Sequence, residues 1–599
     1  MIKLSDYVFR RVAEAGVRHV FMLAGGGCMH LVESLGSNQT LTYVANLHEQ
    51  GAAIAAEAYG QYTNSLGAAL VTTGPGGTNA LTGVAGAWLD STPCLFISGQ
   101  VKRADLKDES GCRQIGFQEL GILELVSPVT KYAVRVDEPE SIAYHLDRAL
   151  HLARTGRPGP VWVDIPLDVQ AAMIDEPSLP RWVPDPPAPD PDLADQAAEI
   201  VRLLEASQRP VVLVGNGVRL AGAERTFVEL VRVLQAPVLT TWKTVDFLDD
   251  DDPLYCGRPG SIGQRAANLT QQNADLLIVI GARLDFGQTG YRHDSFARGA
   301  RKVVVDVDAT EISKLSMHID VAVASDAAPV IAALLEYAGA IDATRWAGWL
   351  AHCKDLQARY PVLLPEFLEQ ADGVNTYVLI DALSDAMKAE DVLVPGSSGT
   401  CSEMTMQSFR VKLGQRVLNT EGLGSMGFAV PAALGACLAS AGRRTISIEG
   451  DGSFAMNAQE LEVIRRLGLP VKIFVLNNDG YVSIKSTQRN YFGGHLVGSD
   501  PSSGLTLPET SMIAAAYGIA FARLDSPAGI GDSVAAILDA PGPTICEVMV
   551  SPQTQTQPRL SSAAGPDGRM VSKPLEDLWP FLDRDEFAGV MIVPPLDEE

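Results

Sequence analysis

The stretch Thr445-Ile446-Ser447-Ile448-Glu449-Gly450-Asp451-Gly452-Ser453, followed after one crossover by Val471-Lys472-Ile473-Phe474-Val475-Leu476-Asn477-Asn478, decides the fold of this chain. The apolar runs 445–448 and 471–476 read as strands buried on both faces. Asn478 follows Asp451 by 27 residues, the length of one strand–helix–strand unit, which returns to the same edge of a parallel sheet. Both side chains therefore fall at carboxyl strand ends, where open α/β sheets bind ligands. One carboxylate, one amide oxygen and a nearby carbonyl form an oxygen set that suits Mg²⁺ sharing a phosphate. Gly452 permits the tight turn, and the Ser453 amide opens a helix, where anions are favoured. Either fragment alone reads equally well as a turn or a strand end; the spacing is what joins them.

Outward from this unit, short apolar runs alternate with helical patterns over most of the chain. The reading is α/β, with three doubly wound parallel-sheet domains and a C-terminal tail. Residues 1–175 carry strand runs at 20–23, 41–45, 68–72, 94–98 and 161–165, with an Ala-rich helix over 50–62. A Pro/Asp-rich linker runs from Glu176 to Pro191. A central Rossmann-like domain over 190–340 has runs at 211–214, 238–241, 276–280 and 303–307. After a helical, polar connection the last domain spans 374–552, with further runs at 392–394 and 545–550, and residues 553–599 form a tail or lid.

The 599 residues carry 47 Lys+Arg and 72 Asp+Glu, a net charge of −25. Such acidity argues against a nucleic-acid surface and against an anionic membrane as partner. Eight scattered cysteines, with no Cys-x-x-Cys pair, point to neither a disulfide framework nor a zinc site, and so to a reducing cytosol. The chain reads as cytoplasmic, with no signal-peptide core at its start and no apolar run long enough for a bilayer.

The first domain carries a second signal, His48-Glu49-Gln50-Gly51, where a carboxylate opens a helix after a strand. Alone it is an ordinary helix N-terminal charge. Together with the 450–478 pair it resembles the thiamine diphosphate (ThDP) enzymes. Further stretches resemble their acetohydroxyacid (acetolactate) synthase group: Thr73-Gly74-Pro75-Gly76-Gly77-Thr78-Asn79, Ser98-Gly99-Gln100, Phe117-Gln118-Glu119, Gly156-Arg157-Pro158-Gly159-Pro160 and Gly422-Leu423-Gly424-Ser425-Met426-Gly427-Phe428. The likeness runs from about residue 3 to residue 551 and implies a ThDP-binding pyrimidine domain first and a diphosphate domain last. It implies that Glu49 hydrogen-bonds the pyrimidine and drives its amino group to the imino form, which removes the thiazolium proton. It implies that Asp451, Asn478 and the Gly480 carbonyl hold Mg²⁺, and that Gly424 and Met426 grip the pyrimidine, Met426 wedging it into a bent shape. Ser397, Ser398, Gly452, Ser453, Asn79 and Tyr481 complete the expected cofactor contacts. Gln118, Gly26 and His30 complete the expected catalytic face, His30 being either a proton donor or a structural histidine. A homodimer or homotetramer, with sites shared across subunits, follows from the same likeness.

The chain also departs from that group. Gly287 falls where the anabolic synthases carry an arginine for the carboxylate of the second 2-oxo acid, and Thr487 where they carry a tryptophan. Glycine offers no charge where arginine grips a carboxylate bidentately. The expectation is a carboligase that decarboxylates pyruvate or another 2-oxo acid and transfers the acyl carbanion equivalent to a different carbonyl. A ketone of a nucleotide sugar is one such acceptor, since a subgroup with similar motifs works on those. Acetolactate formation from two pyruvates, simple decarboxylation, a ThDP-dependent oxidase, a scaffold without turnover and a nicotinamide oxidoreductase are the rivals. The lack of any His-His pair disfavours decarboxylation. FAD is left open: Gly215-Asn216-Gly217 after a strand admits a nucleotide, but Leu220 replaces the third glycine of the dinucleotide pattern.

Overall fold

A computed structural model describes residues 1–107, 111–186, 191–339, 341–370, 372–397, 399–552, 554–564 and 570–596. Three parallel sheets organise it. The first comprises β1 (His19–Met22), β2 (Thr42–Ala45), β3 (Gly67–Val71), β4 (Cys94–Gln100), β5 (Tyr132–Arg135) and β6 (Pro160–Pro166), in the order β2-β1-β3-β4-β6-β5. The middle sheet, β7 (Pro210–Val214), β8 (Val238–Thr240), β9 (Leu276–Ile280), β10 (Arg301–Val305) and β11 (Val321–Val323), runs β8-β7-β9-β10-β11. The last, β12 (Val392–Pro395), β13 (Arg416–Val417), β14 (Thr445–Gly450), β15 (Val471–Asn477), β16 (Ala520–Leu524) and β17 (Thr544–Met549), runs β13-β12-β14-β15-β17-β16. First and last sheets thus share one strand order, so their carboxyl edges present equivalent crevices.

The strands that the apolar pattern misses are all at sheet edges: β5, β11, β13 and β16. β5 is half-buried along its length and β16 largely exposed, so neither carries the continuous apolar run of a central strand.

Two helices of the first domain, α1 (Glu49–Thr63) and α2 (Pro75–Leu89), and one of the last, α3 (Ala429–Ala439), lie between the outer sheets. Ala52, Ala53, Ala55, Ala56 and Ala58 of α1 are fully buried. Their small side chains let backbones touch: a Cβ on Gly435 of α3 would sit 2.1 Å from the Ala55 carbonyl oxygen. One apolar core therefore runs from Phe21 and Phe96 through these helices to Val475 and Ile545, belonging to neither domain alone.

The tail packs on the middle domain. Leu575 and Leu578 are buried, Gln272 donates to Glu576 at 2.6 Å, and Asn273 accepts from Ile592 at 2.7 Å. Among the described residues no single helix is long and apolar enough to cross a membrane.

Candidate active site

At the carboxyl edge of the last sheet, Asp451 opens the short helix α4 (Asp451–Phe454). Its Oδ1 accepts from the Gly452 amide at 2.8 Å and its Oδ2 from the Gly480 amide at 3.0 Å. Burial raises its pKa, and these amides partly counter the rise. The loop that closes over Asp451 is strained: Asp479 has φ +61° and Gly480 φ +113°. Lys485, from the helix α5 (Val482–Tyr491), donates to the backbone carbonyls of Asn478 at 2.7 Å and Asp479 at 3.1 Å. Those carbonyls are thereby turned away, and the Asn478 side-chain oxygen Oδ1 is buried with no hydrogen-bond partner. An orphaned buried acceptor beside a carboxylate is a group awaiting a cation. The donor set fits Mg²⁺, and because the protein supplies so few ligands it leaves coordination positions for a phosphate and water.

Around it, Tyr481 packs where a Gly452 Cβ would be, 2.3 Å from the ring, so glycine is required there. The Ser453 hydroxyl accepts from the Gly427 amide at 2.7 Å, and Asn457 donates to the Gly427 carbonyl at 2.7 Å. These bonds fix the loop that bears Gly424, at φ +61°, and the half-buried Met426. The Ser453 hydroxyl is thus committed within the protein. Glu449, buried and pushed up to about 7 by burial, holds the Ala429 amide at 2.8 Å behind the same loop. Ser397 is buried at the end of β12; Ser398 lies outside the described residues.

At the equivalent edge of the first sheet, Glu49 is the first residue of α1 and 6% exposed. His48 caps the helix by accepting from the Gln50 amide at 3.0 Å, and Asn79 donates to Glu49 Oε2 at 3.0 Å. Asn79, expected on the cofactor, is therefore found orienting the carboxylate. The turn before Glu49 is held by Glu460 of the last domain, which accepts from Asn46 Nδ2 at 2.8 Å and from the Leu47 and His48 amides, each at 3.1 Å. Gly26, exposed, opens a short 3-10 turn over Gly26–Cys28, in which the Gly27 amide donates to Thr72 at 3.2 Å; His30 is the second residue of the helix Met29–Ser37 that follows. Gln118 sits at φ +63° against Gly74, and Phe117 beside it is 86% exposed. Glu119 folds this loop by accepting from the Lys107, Ile115 and Gly116 amides, bonds that outweigh burial and lower its pKa.

Glu460, Glu449 and Lys485 escape a reading of the sequence, as does Asp90, which takes the Lys243 ammonium at 2.6 Å and the Gly422 amide at 2.8 Å. Each acts on backbone groups or on other domains, and no local motif announces that.

Family models match three segments: the thiamine pyrophosphate enzyme N-terminal TPP binding domain over residues 2–125, the central domain over 197–334 and the C-terminal TPP binding domain over 397–548. Acetolactate synthase 2, chloroplastic, of Zea mays is 32% identical, over 94% of this chain and 87% of its own length. The acetolactate synthase large subunit of Corynebacterium glutamicum is 32% identical over 97% and 92%, and the isozyme 1 large subunit of Escherichia coli 29% over 94% and 96%. The chain belongs to the thiamine pyrophosphate enzyme family. As a thiamine pyrophosphate enzyme of the acetolactate synthase-like group it is a ThDP-dependent carboligase, with Mg²⁺ as the usual partner of ThDP.

Gly215 and Gly217 lie where the loops after β7 and β9 cross, with a Gly217 Cβ only 2.7 Å from Gly281 Cα. Their amides donate to Ile280 and Gly281 carbonyls, each at 2.9 Å. In this thiamine pyrophosphate enzyme the glycines serve that crossing, and Asn216 and Gly217 also line a cleft of the middle domain.

Proposed function

We propose that this enzyme decarboxylates pyruvate, or a closely related 2-oxo acid, and transfers the acyl unit to a carbonyl acceptor that bears no carboxylate. When bound, ThDP supplies the carbon nucleophile and electron sink that amino-acid side chains lack. Asp451, Asn478 Oδ1 and the Gly480 carbonyl would hold the Mg²⁺ that goes with its diphosphate, and Gly424 and Met426 would position the pyrimidine. Glu49, whose Oε2 accepts from Asn79, would supply the carboxylate that exchanges a proton with the heterocycle. Two chains meet so that the Glu49 edge of one faces the Met426 edge of the other. The exposed Phe117 and Ile115 near the first edge and Leu423, Met456 and Ile484 near the second support that pairing.

The observation that carries the acceptor assignment is the charge of one cleft. It is lined by Trp242, Pro259–Ile262, Arg283, Asp285–Gln288, Tyr291, Glu421 and Gly422, the last lying two residues before Gly424 in the chain. Its cation, Arg283, already donates to the Leu89 carbonyl at 3.0 Å and faces Asp285 at 3.4 Å. Gly287 adds no charge, and Glu421, pushed up to about 7 by burial and by the nearby Asp285 and Asp90, adds a carboxyl that is part-charged near neutral pH. A carboxylate next to the reacting carbonyl would meet repulsion here, whereas a ketone with no charge beside it, such as that of a sugar whose nucleotide diphosphate lies on the far side of the ring, would not.

Product analysis by mass spectrometry tests this, with pyruvate, ThDP, Mg²⁺ and acceptors running from 2-oxo acids to nucleotide ketosugars. The expected result is ligation to a neutral ketone at least about tenfold faster than acetolactate formation, a difference of about 1.4 kcal/mol in barrier. Efficient acetolactate synthesis with every bulky ketone ignored would refute the assignment. A second cleft, where the strand order reverses between β7 and β9, is lined by Arg157, Asn216, Gly217, Asp306 and Asp326; a yellow purified protein would show that flavin is bound, and loss of the colour on substitution at Gly217 would support this cleft as its place.

A further inference from the structure

The loop 419–427, which carries Gly424 and Met426, is pinned at its far end by Ser453 and Asn457 of its own domain. Its near end is pinned by the other two domains. Lys243, in the short turn Trp242–Thr244 of the middle domain, commits all three ammonium donors at one junction. They go to the Asn419 carbonyl, to Asp90 Oδ2 at 2.6 Å and to Gln61 Oε1 at 3.2 Å. The Asn419 side chain donates in turn to the Trp242 carbonyl at 3.3 Å. Asp90 follows the carboxyl end of α2 and gives its other oxygen, Oδ1, to the Gly422 amide at 2.8 Å. A Cβ on Gly422 would lie 2.7 Å from Leu89 Cβ, so glycine is what lets the loop come this close. Arg283 donates to the Leu89 carbonyl beside it at 3.0 Å, and cations are favoured at this end of a helix.

The Asp90 and Lys243 side chains are only 3% and 12% exposed. Glu57 of α1, fully buried, accepts from Gln61 Nε2 at 3.0 Å and so fixes that amide with its oxygen toward Lys243. Burial, and then the charge of Asp90, push the Glu57 pKa up, toward a neutral carboxyl, which leaves Asp90 as the principal counter-charge of Lys243. Desolvation offsets much of the attraction within such a buried pair, so it is a weak stabiliser, but it demands one geometry. Here that geometry ends on a backbone amide two residues before Gly424.

We propose that Lys243 and Asp90 are positioning residues for the cofactor: from the middle and first domains they set the place at which the loop 419–427 of the last domain presents Gly424 and Met426. This role rests on the pyrimidine meeting Gly424 and Met426, as in the proposed function above. It leaves the metal anchor at Asp451 and Asn478 untouched.

Two probes separate the ends of the cofactor. ThDP engages both the metal anchor and the loop, whereas inorganic pyrophosphate with Mg²⁺ engages the anchor alone. Both are titrated calorimetrically into the full chain freed of cofactor. Lys243→Met should bind ThDP roughly 2- to 30-fold more weakly than the parent, and magnesium pyrophosphate within about twofold of it. Lys243→Met alone leaves Asp90 buried without its partner and should also lower the midpoint of unfolding. Asp90→Asn combined with Lys243→Met removes both charges, so the midpoint should recover while the ThDP affinity does not. Unchanged ThDP affinity in Lys243→Met, or an equal loss for both probes in the double variant, overturns the proposal. Met426→Ala tells the two readings apart. Weaker ThDP binding there, with unchanged binding in Lys243→Met, overturns this inference alone; unchanged binding in both also refutes the placing of the pyrimidine on this loop.

Discussion

At the scale of single residues, the proposed site turns on two carboxylates with opposite tasks. Asp451 must give up its proton to hold a cation, although burial raises its pKa, so Mg²⁺ retention should weaken as pH falls. Glu49 must exchange a proton, and its Asn79 contact fixes which oxygen does so. Glu49→Gln, read by steady-state CO₂ release, should lower turnover about 10²–10⁴-fold while leaving ThDP binding close to the parent; near-normal turnover would remove Glu49 from the mechanism. That Asp451 and Asn478 share one sheet edge was legible in the sequence, because one crossover fixes their separation. The support of Glu49 was not: Glu460 reaches it from 412 residues away, at His48, and donor–acceptor pairs between domains leave no periodic trace.

At the scale of elements, the central strands declared themselves by continuous apolar runs, and the edge strands β5, β11, β13 and β16 did not, because one side of each faces solvent or loops. The Ala-rich helix α1 was legible too, yet its purpose was not: the small residues serve α3, which follows some 370 residues later. That contact is unforgiving. Gly435→Val should destabilise the enzyme by about 1–3 kcal/mol or more through overpacking, seen as a lower midpoint in urea with an unchanged dependence on denaturant. An unaltered midpoint would mean that α1 and α3 do not meet this closely. The proposed acceptor cleft was only half legible, since Gly287 announces a missing charge while the other lining residues come from segments far apart in the chain.

At the scale of the whole molecule, three domains meet at buried charges. Arg219 of the middle domain donates to Asp246 at 2.7 Å, and Arg416 of the last domain to its other oxygen, also at 2.7 Å. Burial alone would raise the Asp246 pKa, but Arg219 and then Arg416 prevail and hold it at about 2, below the ordinary 3.8. A depressed carboxyl pKa stabilises the fold above the unfolded value and loses that contribution as pH drops through the folded one. Stability measured by thermal unfolding should therefore fall between about pH 4 and pH 2, in part through Asp246. Asp246→Asn should remove this share of the acid sensitivity and destabilise the enzyme near neutral pH by about 3–5 kcal/mol, because the buried Arg416 guanidinium loses its counter-charge and Arg219 keeps only Glu224. An acid limb as steep in the variant as in the parent would assign it to other groups.

The apolar interior common to the outer domains has a consequence for how the chain is made. The alanine-covered side of the first lobe has its natural cover only in α3, near residue 430. At ribosomal speeds of about 5–20 residues per second, a nascent lobe complete through α1 waits roughly 20–70 s for that cover to emerge. During that interval a greasy patch stands open to the cell, and the newborn polypeptide is a natural client for chaperones that shield such patches until synthesis is nearly finished.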